Sequence, residues 1–94
     1  MKRLDWNEAK NTRLKIERSI SFEDVQTAIE EGNLLDNVAH PNQKLHQGQR
    51  VLAVVLENYV FLVPFVEDEE KLFLKTIYPS RKFTKLYLIE RRKQ

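Results

Sequence analysis

The chain has 94 residues, of which 41% are apolar and 32% are charged, and its formal net charge is +2. This length fits one domain, because a single hydrophobic core usually occupies about 100 to 150 residues. The absence of cysteine excludes disulfides, zinc–thiolate sites and thiol nucleophiles. The N-terminus lacks the apolar run of a signal peptide, and the most apolar stretch, residues 51–66, is too short to span a bilayer as a helix. We therefore expect a cytoplasmic protein without membrane contact.

The charges are segregated along the chain. Residues 1–20 carry a net charge of +3, residues 21–36 carry five acids and no cation, and residues 37–70 carry a net charge of −3. Residues 71–94 hold eight cations against one acid, for a net charge of +7. Cations at both ends of a small protein can gather on one side, which favours binding of a polyanion. The alternative is that the charged residues only keep a small domain in solution.

Two helices are predicted in the first third of the chain. Asp5 is a candidate N-cap for a first helix over about residues 7–18. Ser21 and Asp24 form a capping-box pattern that begins a second helix, and Gly32 marks its end in the left-handed conformation. Both helices precede the apolar middle of the chain.

Apolar runs separated by turn signals predict strands in the middle of the chain. The predicted strands are residues 34–38, 51–56, 59–66 and 71–78. The dipeptide Glu57-Asn58 joins the second and third of them as a hairpin. Pro64 cannot donate to a ladder, so it marks a bulge or an exposed edge. The aromatic residues Tyr59, Phe61, Phe65 and Phe73 are assigned to the core rather than to a platform on which bases stack.

Ser80 is a candidate N-cap for a last helix, which completes the predicted order of elements. Helices that are separate in sequence from a strand meander are typical of α+β domains. We therefore predict an α+β fold with two N-terminal helices, a four-stranded, mostly antiparallel sheet and a C-terminal helix, in one domain over residues 1–94. A two-layer domain of this kind leaves one sheet face partly open.

The last predicted strand leads directly into a cationic segment. Arg81 and Lys82 fall in the first turn of the predicted helix, whose N-terminus carries positive partial charge, so a bound anion would stabilise them there. Lys71 and Lys75 share one face of the strand with Phe73. The pattern indicates a phosphate site, and hence RNA or DNA as the polymer. The alternative for the two lysines is a solvated edge strand protected against further pairing.

Four short segments occur in a characteristic order over nearly the whole chain. They are Asp5-Trp6-Asn7 with Lys10-Asn11, Ser21-Phe22-Glu23, His40-Pro41 with Gln49-Arg50-Val51, and Ile77-Tyr78-Pro79-Ser80-Arg81-Lys82-Phe83-Thr84. Together they resemble the BrnT family, the toxins of a bacterial type II toxin–antitoxin system. The resemblance implies a RelE-like microbial ribonuclease fold and RNA cleavage without a metal or other cofactor. It also implies a cognate antitoxin that binds the protein and neutralises it. Any contact with DNA would be made only through that antitoxin.

Metal-free RNA cleavage needs a base, an acid and fixed cations around one phosphate. Arg50 and Arg81 are the candidate cations, supported by Lys75 and Lys82, since a guanidinium matches two phosphate oxygens. His40 and Tyr78 are the candidates for proton transfer. The alternative for His40 is a histidine that is hydrogen-bonded in a turn. The alternative for Tyr78 is a ring that packs at the end of a strand. The two histidines have no nearby acid or third ligand, so no metal site is expected.

Lys71, Lys82 and Lys85 are candidate RNA-binding residues. Two departures from the family pattern favour a second hypothesis, in which the same fold binds RNA or a protein without catalysis. Residues 17–19 are Glu-Arg-Ser where the family usually has Lys-His-Gly, and Gln49 replaces a frequent acid. A third hypothesis is a structural subunit whose basic side meets an acidic partner. The nuclease hypothesis alone requires the candidate arginines to converge on one anion.

Overall fold

The computed structural model describes residues 2–90, which form one sheet with helices on both faces. The elements in chain order are β1 Arg3–Trp6, α1 Glu8–Arg18, α2 Phe22–Glu30, β2 Leu34–Ala39, β3 Arg50–Leu56, β4 Tyr59–Glu67, β5 Lys71–Leu74, β6 Tyr78–Pro79 and α3 Arg81–Thr84. A π-helical segment, Lys85–Glu90, continues α3, and the two together are called the C-terminal helix. None of the helices within residues 2–90 has both the length and the apolar character needed to cross a bilayer.

Local hydrogen bonds fix where the N-terminal helices begin and end. The Ser21 hydroxyl accepts the Asp24 amide at 3.1 Å and the Asp24 carboxylate accepts the Ser21 amide at 2.9 Å, which confirms the predicted capping box of α2. Gly32 follows α2 at φ 85°, also as predicted. The predicted cap of α1 is wrong. Asn7 caps that helix, because Asp5 belongs to β1.

The sheet has more strands than the four that the sequence predicts. Its order is β1-β5-β4-β3-β2, with β6 beside β4, and every pairing except β1 with β5 is antiparallel. The α+β class is therefore confirmed, but within residues 2–90 the sheet has six strands. β1 is a short strand whose partner lies far along the chain, with Arg3 opposite Lys71. No local pattern of four residues predicts such a pairing.

Pro64, in the central strand β4, divides the predicted fourth strand in two. Leu74 pairs with Phe65, whereas Tyr78 pairs with Leu62, so one extra residue lies between β5 and β6 relative to β4. The Pro64 carbonyl accepts the amide of the residue after β5 at 2.8 Å, but proline has no N–H to donate in return. The ladder therefore stops beside Pro64 and a bulge follows, as the sequence predicts.

Apolar side chains pack in two clusters, one on each face of the sheet. Under α1 and α2 the buried residues are Leu14, Ile20, Phe22, Val25, Leu52, Val54, Val63, Phe65, Leu72, Leu74 and Ile77. On the other face Phe83, Tyr87 and Leu88 of the C-terminal helix pack on Val51, Ala53, Val60 and Leu62. The predicted two layers are therefore three. The second face stays open only beyond the reach of the C-terminal helix.

One buried hydroxyl group joins the C-terminal helix to β4. Thr84 is 7% exposed, and its hydroxyl accepts the Val60 amide at 2.8 Å and donates to the Ser80 carbonyl at 2.7 Å. Ser80 is the N-cap that the sequence predicts, because its hydroxyl accepts the Phe83 amide at 3.1 Å. These bonds hold the start of the helix over the start of β4.

Thr84→Val should lower the free energy of unfolding by about 1–3 kcal/mol, because the buried Val60 amide loses its acceptor while the side-chain shape is kept. Urea denaturation measures this change. Thr84→Ser is the matched control, since it retains the hydroxyl, and should lose clearly less stability. A Thr84→Val protein as stable as the wild type would show that this bond contributes no net stability.

Candidate nucleic-acid interface

Lys71, Phe73 and Lys75 lie on the sheet face that the C-terminal helix covers only in part. The Lys75 ammonium is 5.6 Å from the centroid of the Phe73 ring, a cation–π contact that places both side chains on one face, as predicted. Val66, opposite Phe73 in β4, is 44% exposed. The Lys71 ammonium is 3.5 Å from an Asp5 carboxylate, which compensates its charge. The open end of this face thus presents an aromatic ring, an aliphatic side chain and a cation.

The outer side of the C-terminal helix carries three more of the predicted cations. Arg81, Lys82 and Lys85 are all exposed there, at positions three and four residues apart that share one side of a helix. Leu86 and Ile89 are also exposed, by 44% and 49%. The helix therefore packs one apolar side on the sheet and presents cations interspersed with aliphatic side chains to solvent.

These cations differ from several other lysines in how their charge is compensated. Lys2, Lys15 and Lys71 each lie 2.7 to 3.8 Å from a carboxylate. Within residues 2–90, Lys75 and the three cations of the C-terminal helix form no such ion pair. An anion gains most beside cations that no carboxylate compensates, because the local potential is then most positive. This side of the molecule, where these cations lie with the Phe73 ring, is therefore a candidate for phosphate contacts.

Arg50 lies on the opposite face of the sheet. It pairs with Phe65, which belongs to the core under α1 and α2, and its guanidinium donates to the side-chain and main-chain oxygens of Asn37 at 2.9 and 2.6 Å. The residue before Arg81 donates its amide to the Val60 carbonyl. Phe65 and Val60 are ~17 Å apart along β4 at ~3.4 Å per residue. The two arginines expected at one phosphate are therefore separated in both face and position.

His40 is buried, and its lone-pair nitrogen already has a hydrogen-bond donor. The residue is 8% exposed, its ring stacks on His46 with centroids 4.0 Å apart, and Nδ1 accepts the Asn42 amide at 3.0 Å. Burial lowers the pKa of His40, and the neighbouring His46 lowers it further, so the ring is neutral at pH 7. The bond to Nδ1 assigns the proton to Nε2. The geometry fits a turn histidine rather than a general base.

Tyr78 lies under the C-terminal helix, in the second core cluster. Burial raises the pKa of its hydroxyl, which therefore stays protonated at neutral pH. Tyr78 pairs with Leu62 and the Lys75 amide bonds to Pro64, so these two candidates are ~7 Å apart along β4. The main chain next to Arg81 lies a further two residues away, ~14 Å from that of Lys75. Within residues 2–90, no group of three or more histidines and carboxylates could hold a metal ion.

Phe73 is more exposed than the sequence predicts. It was assigned to the core, but it is only half-buried and lies directly beneath the Lys75 ammonium. The signal was present in its place between Lys71 and Lys75 at alternating positions of one strand. Alternation puts this ring between two cations on the same face, and cations at flanking positions are typical of a face that reaches solvent rather than of a core.

No protein-family model, curated protein or solved structure matches the chain. The resemblance to the BrnT family therefore stays a prediction.

The stability of the protein should fall as the pH drops from 7.5 to 5.5. Burial lowers the folded-state pKa of His40 below its unfolded value of about 6.5. The stability that the neutral ring contributes is therefore complete above the unfolded pKa and is lost as the pH falls through the lowered pKa. Glu23 and Asp68 also have lowered pKa values, but the protonation of carboxylates lowers the stability of the protein only below about pH 4.5. Urea midpoints at several pH values measure the slope.

His40→Phe is the control for this pH dependence, because it keeps a ring for stacking and removes the titration. Its urea midpoint should vary less between pH 7.5 and 5.5 than that of the wild type. Equal slopes in the two proteins would show that His40 does not carry the effect.

Proposed function

We propose that the protein binds single-stranded RNA on the side of the sheet that carries the C-terminal helix, and that it does not cleave this RNA. The observation that carries the proposal is the set of uncompensated cations, Lys75, Arg81, Lys82 and Lys85, on this side of the described chain. A side with four such cations attracts a polymer of phosphates more strongly than it attracts a single anion.

The spacing of the cations supports binding rather than catalysis. The main chain at Lys75 and that at Ser80, next to Arg81, are ~14 Å apart along β4, and Arg50 lies on the other face. A cleavage site needs base, acid and cation within hydrogen-bond reach of one phosphate, at about 3 Å each. Cations at wider separations instead contact successive phosphates along a strand. The second hypothesis from the sequence, a non-catalytic RNA-binding module, is therefore the one that the geometry favours.

The ring of Phe73 supports an unpaired strand as the ligand. Nucleobases stack on exposed aromatic rings only when they are free of a duplex, and a cation near the ring holds the adjoining phosphate. The Lys75 ammonium lies over the Phe73 ring on a flexible side chain, so it can move to that phosphate when a base takes its place, and the exposed Val66 lies opposite Phe73 in β4. The preference for RNA over DNA rests on the resemblance to the BrnT family.

Single-stranded RNA should bind with a logarithmic salt slope of about −2 to −3, as expected for three or four phosphate contacts. Fluorescence anisotropy with a labelled oligonucleotide measures it. The triple variant Arg81→Ala/Lys82→Ala/Lys85→Ala should bind about tenfold more weakly or worse and lose about 2 from the magnitude of the slope. The control Lys10→Ala/Arg13→Ala/Lys15→Ala removes the same charge from α1 and should bind nearly as the wild type does. Equal losses in both triples would contradict a localised interface.

End-labelled RNA should remain intact during long incubation with the folded wild-type protein in EDTA, as read on a denaturing gel. The reason is the separation of the candidate arginines and the hydrogen bond that occupies Nδ1 of His40. Cleavage that Arg81→Ala abolishes without unfolding the protein would overturn the proposal in favour of the toxin-like nuclease. Growth arrest on expression, relieved by an antitoxin, would do the same.

A further inference from the structure

A cavity of about 300 Å³ lies on the face covered by α1 and α2, away from the C-terminal helix. Its walls come from α2, from the link between α1 and α2, and from the hairpin between β3 and β4. The apolar lining includes Ile20, Ala28, Leu56 and Phe61. This volume is at the lower end of the range for ligand pockets and fits one or two side chains.

Three carboxylates line the cavity: Asp24 and Glu31 from α2 and its end, and Glu57 from the hairpin turn. Glu31 and Glu57 are exposed, and within residues 2–90 neither forms an ion pair. The one cation in the lining, Arg18, donates to the Ile77 carbonyl at 2.6 Å, which holds it against the wall. The lining therefore combines apolar residues with a larger share of polar ones and has a net negative charge, and it draws on the most acidic segment of the chain, residues 21–36.

We propose that this cavity is a docking site for an arginine or lysine side chain presented by a partner protein. Such side chains have an aliphatic stem that packs on apolar surface and a cationic head that stays near water and carboxylates. Ala28 and Phe61 would contact the stem, and Glu31 and Glu57 would contact the head. A peptide side chain fits the cavity because its aliphatic stem matches the apolar wall and its cationic head matches the carboxylates, whereas a polyanion would be repelled.

The proposal is independent of RNA binding, since the cavity lies on the opposite sheet face from Lys75 and the C-terminal helix. A partner docked here would leave the cations of the other side free. RNA and the partner are therefore expected to bind at the same time without competition. If RNA binding is not observed, peptide binding can still be measured by itself, and the reverse also holds.

The test uses a capped peptide of alternating leucine and arginine, with a glutamine-for-arginine peptide as the ligand control. Amide chemical shifts of Thr27, Ala28 and Phe61 should move on titration with the arginine peptide, while that of Lys82 should not. Glu31→Gln/Glu57→Gln should weaken binding about fivefold, since each exposed charge contact contributes modestly. Thr27→Trp, which places a large ring in the cavity from the surface of α2, should abolish it.

Glu69→Gln/Glu70→Gln is the matched control, because it removes two exposed carboxylates outside the cavity lining and should bind as the wild type does. Equal weakening in both double variants, or equal binding of the glutamine peptide, would overturn the proposal. So would a wild-type protein that associates with itself in sedimentation and becomes monomeric in Glu31→Gln/Glu57→Gln, since the occupant would then be a second copy of this chain.

Discussion

Pro64 cannot donate a hydrogen bond toward β5, so the pairing between β4 and β5 ends beside it and the chain resumes as β6 one residue out of register. That shift brings Ser80 to the start of β4, where the Thr84 hydroxyl accepts the Val60 amide. The C-terminal helix consequently lies over one part of the second sheet face and leaves the end near Phe73 open. One missing donor in the central strand thus decides both where the cations of the helix point and which part of the sheet is exposed.

The fold places the acidic segment and the basic C-terminal segment on opposite faces of the sheet, whereas the basic helix α1 packs beside α2 instead of joining the C-terminal cations. The acidic segment, residues 21–36, supplies α2 and two carboxylates of the cavity beside it. The basic segment after residue 71 supplies Lys75 and the C-terminal helix on the other face. Because the sheet lies between them, the two fields do not cancel locally.

The residues expected to form a catalytic centre are positioned by contacts between distant segments, which local sequence patterns do not determine. Period-two alternation correctly placed Lys71, Phe73 and Lys75 on one face, since that relation is local. The relation between Arg50 and Arg81 depends instead on register across several strands, and a register change of one residue moves a side chain to the other face. His40 was a chemical candidate by residue type, but a hydrogen bond from Asn42 and the stacked His46 ring decide what its nitrogens can do.

The sequence by itself determined the features that depend on neighbouring residues: the α+β class, the capping box at Ser21, the stop at Gly32, the two-residue hairpin and the interruption at Pro64. Each follows from backbone conformation or hydrogen bonding within a few residues. Only the tertiary structure decided the parallel pairing of β1, the sheet face of Arg50 and the compensation of Lys71 by Asp5. These depend on contacts between distant segments, whose geometry no local pattern encodes.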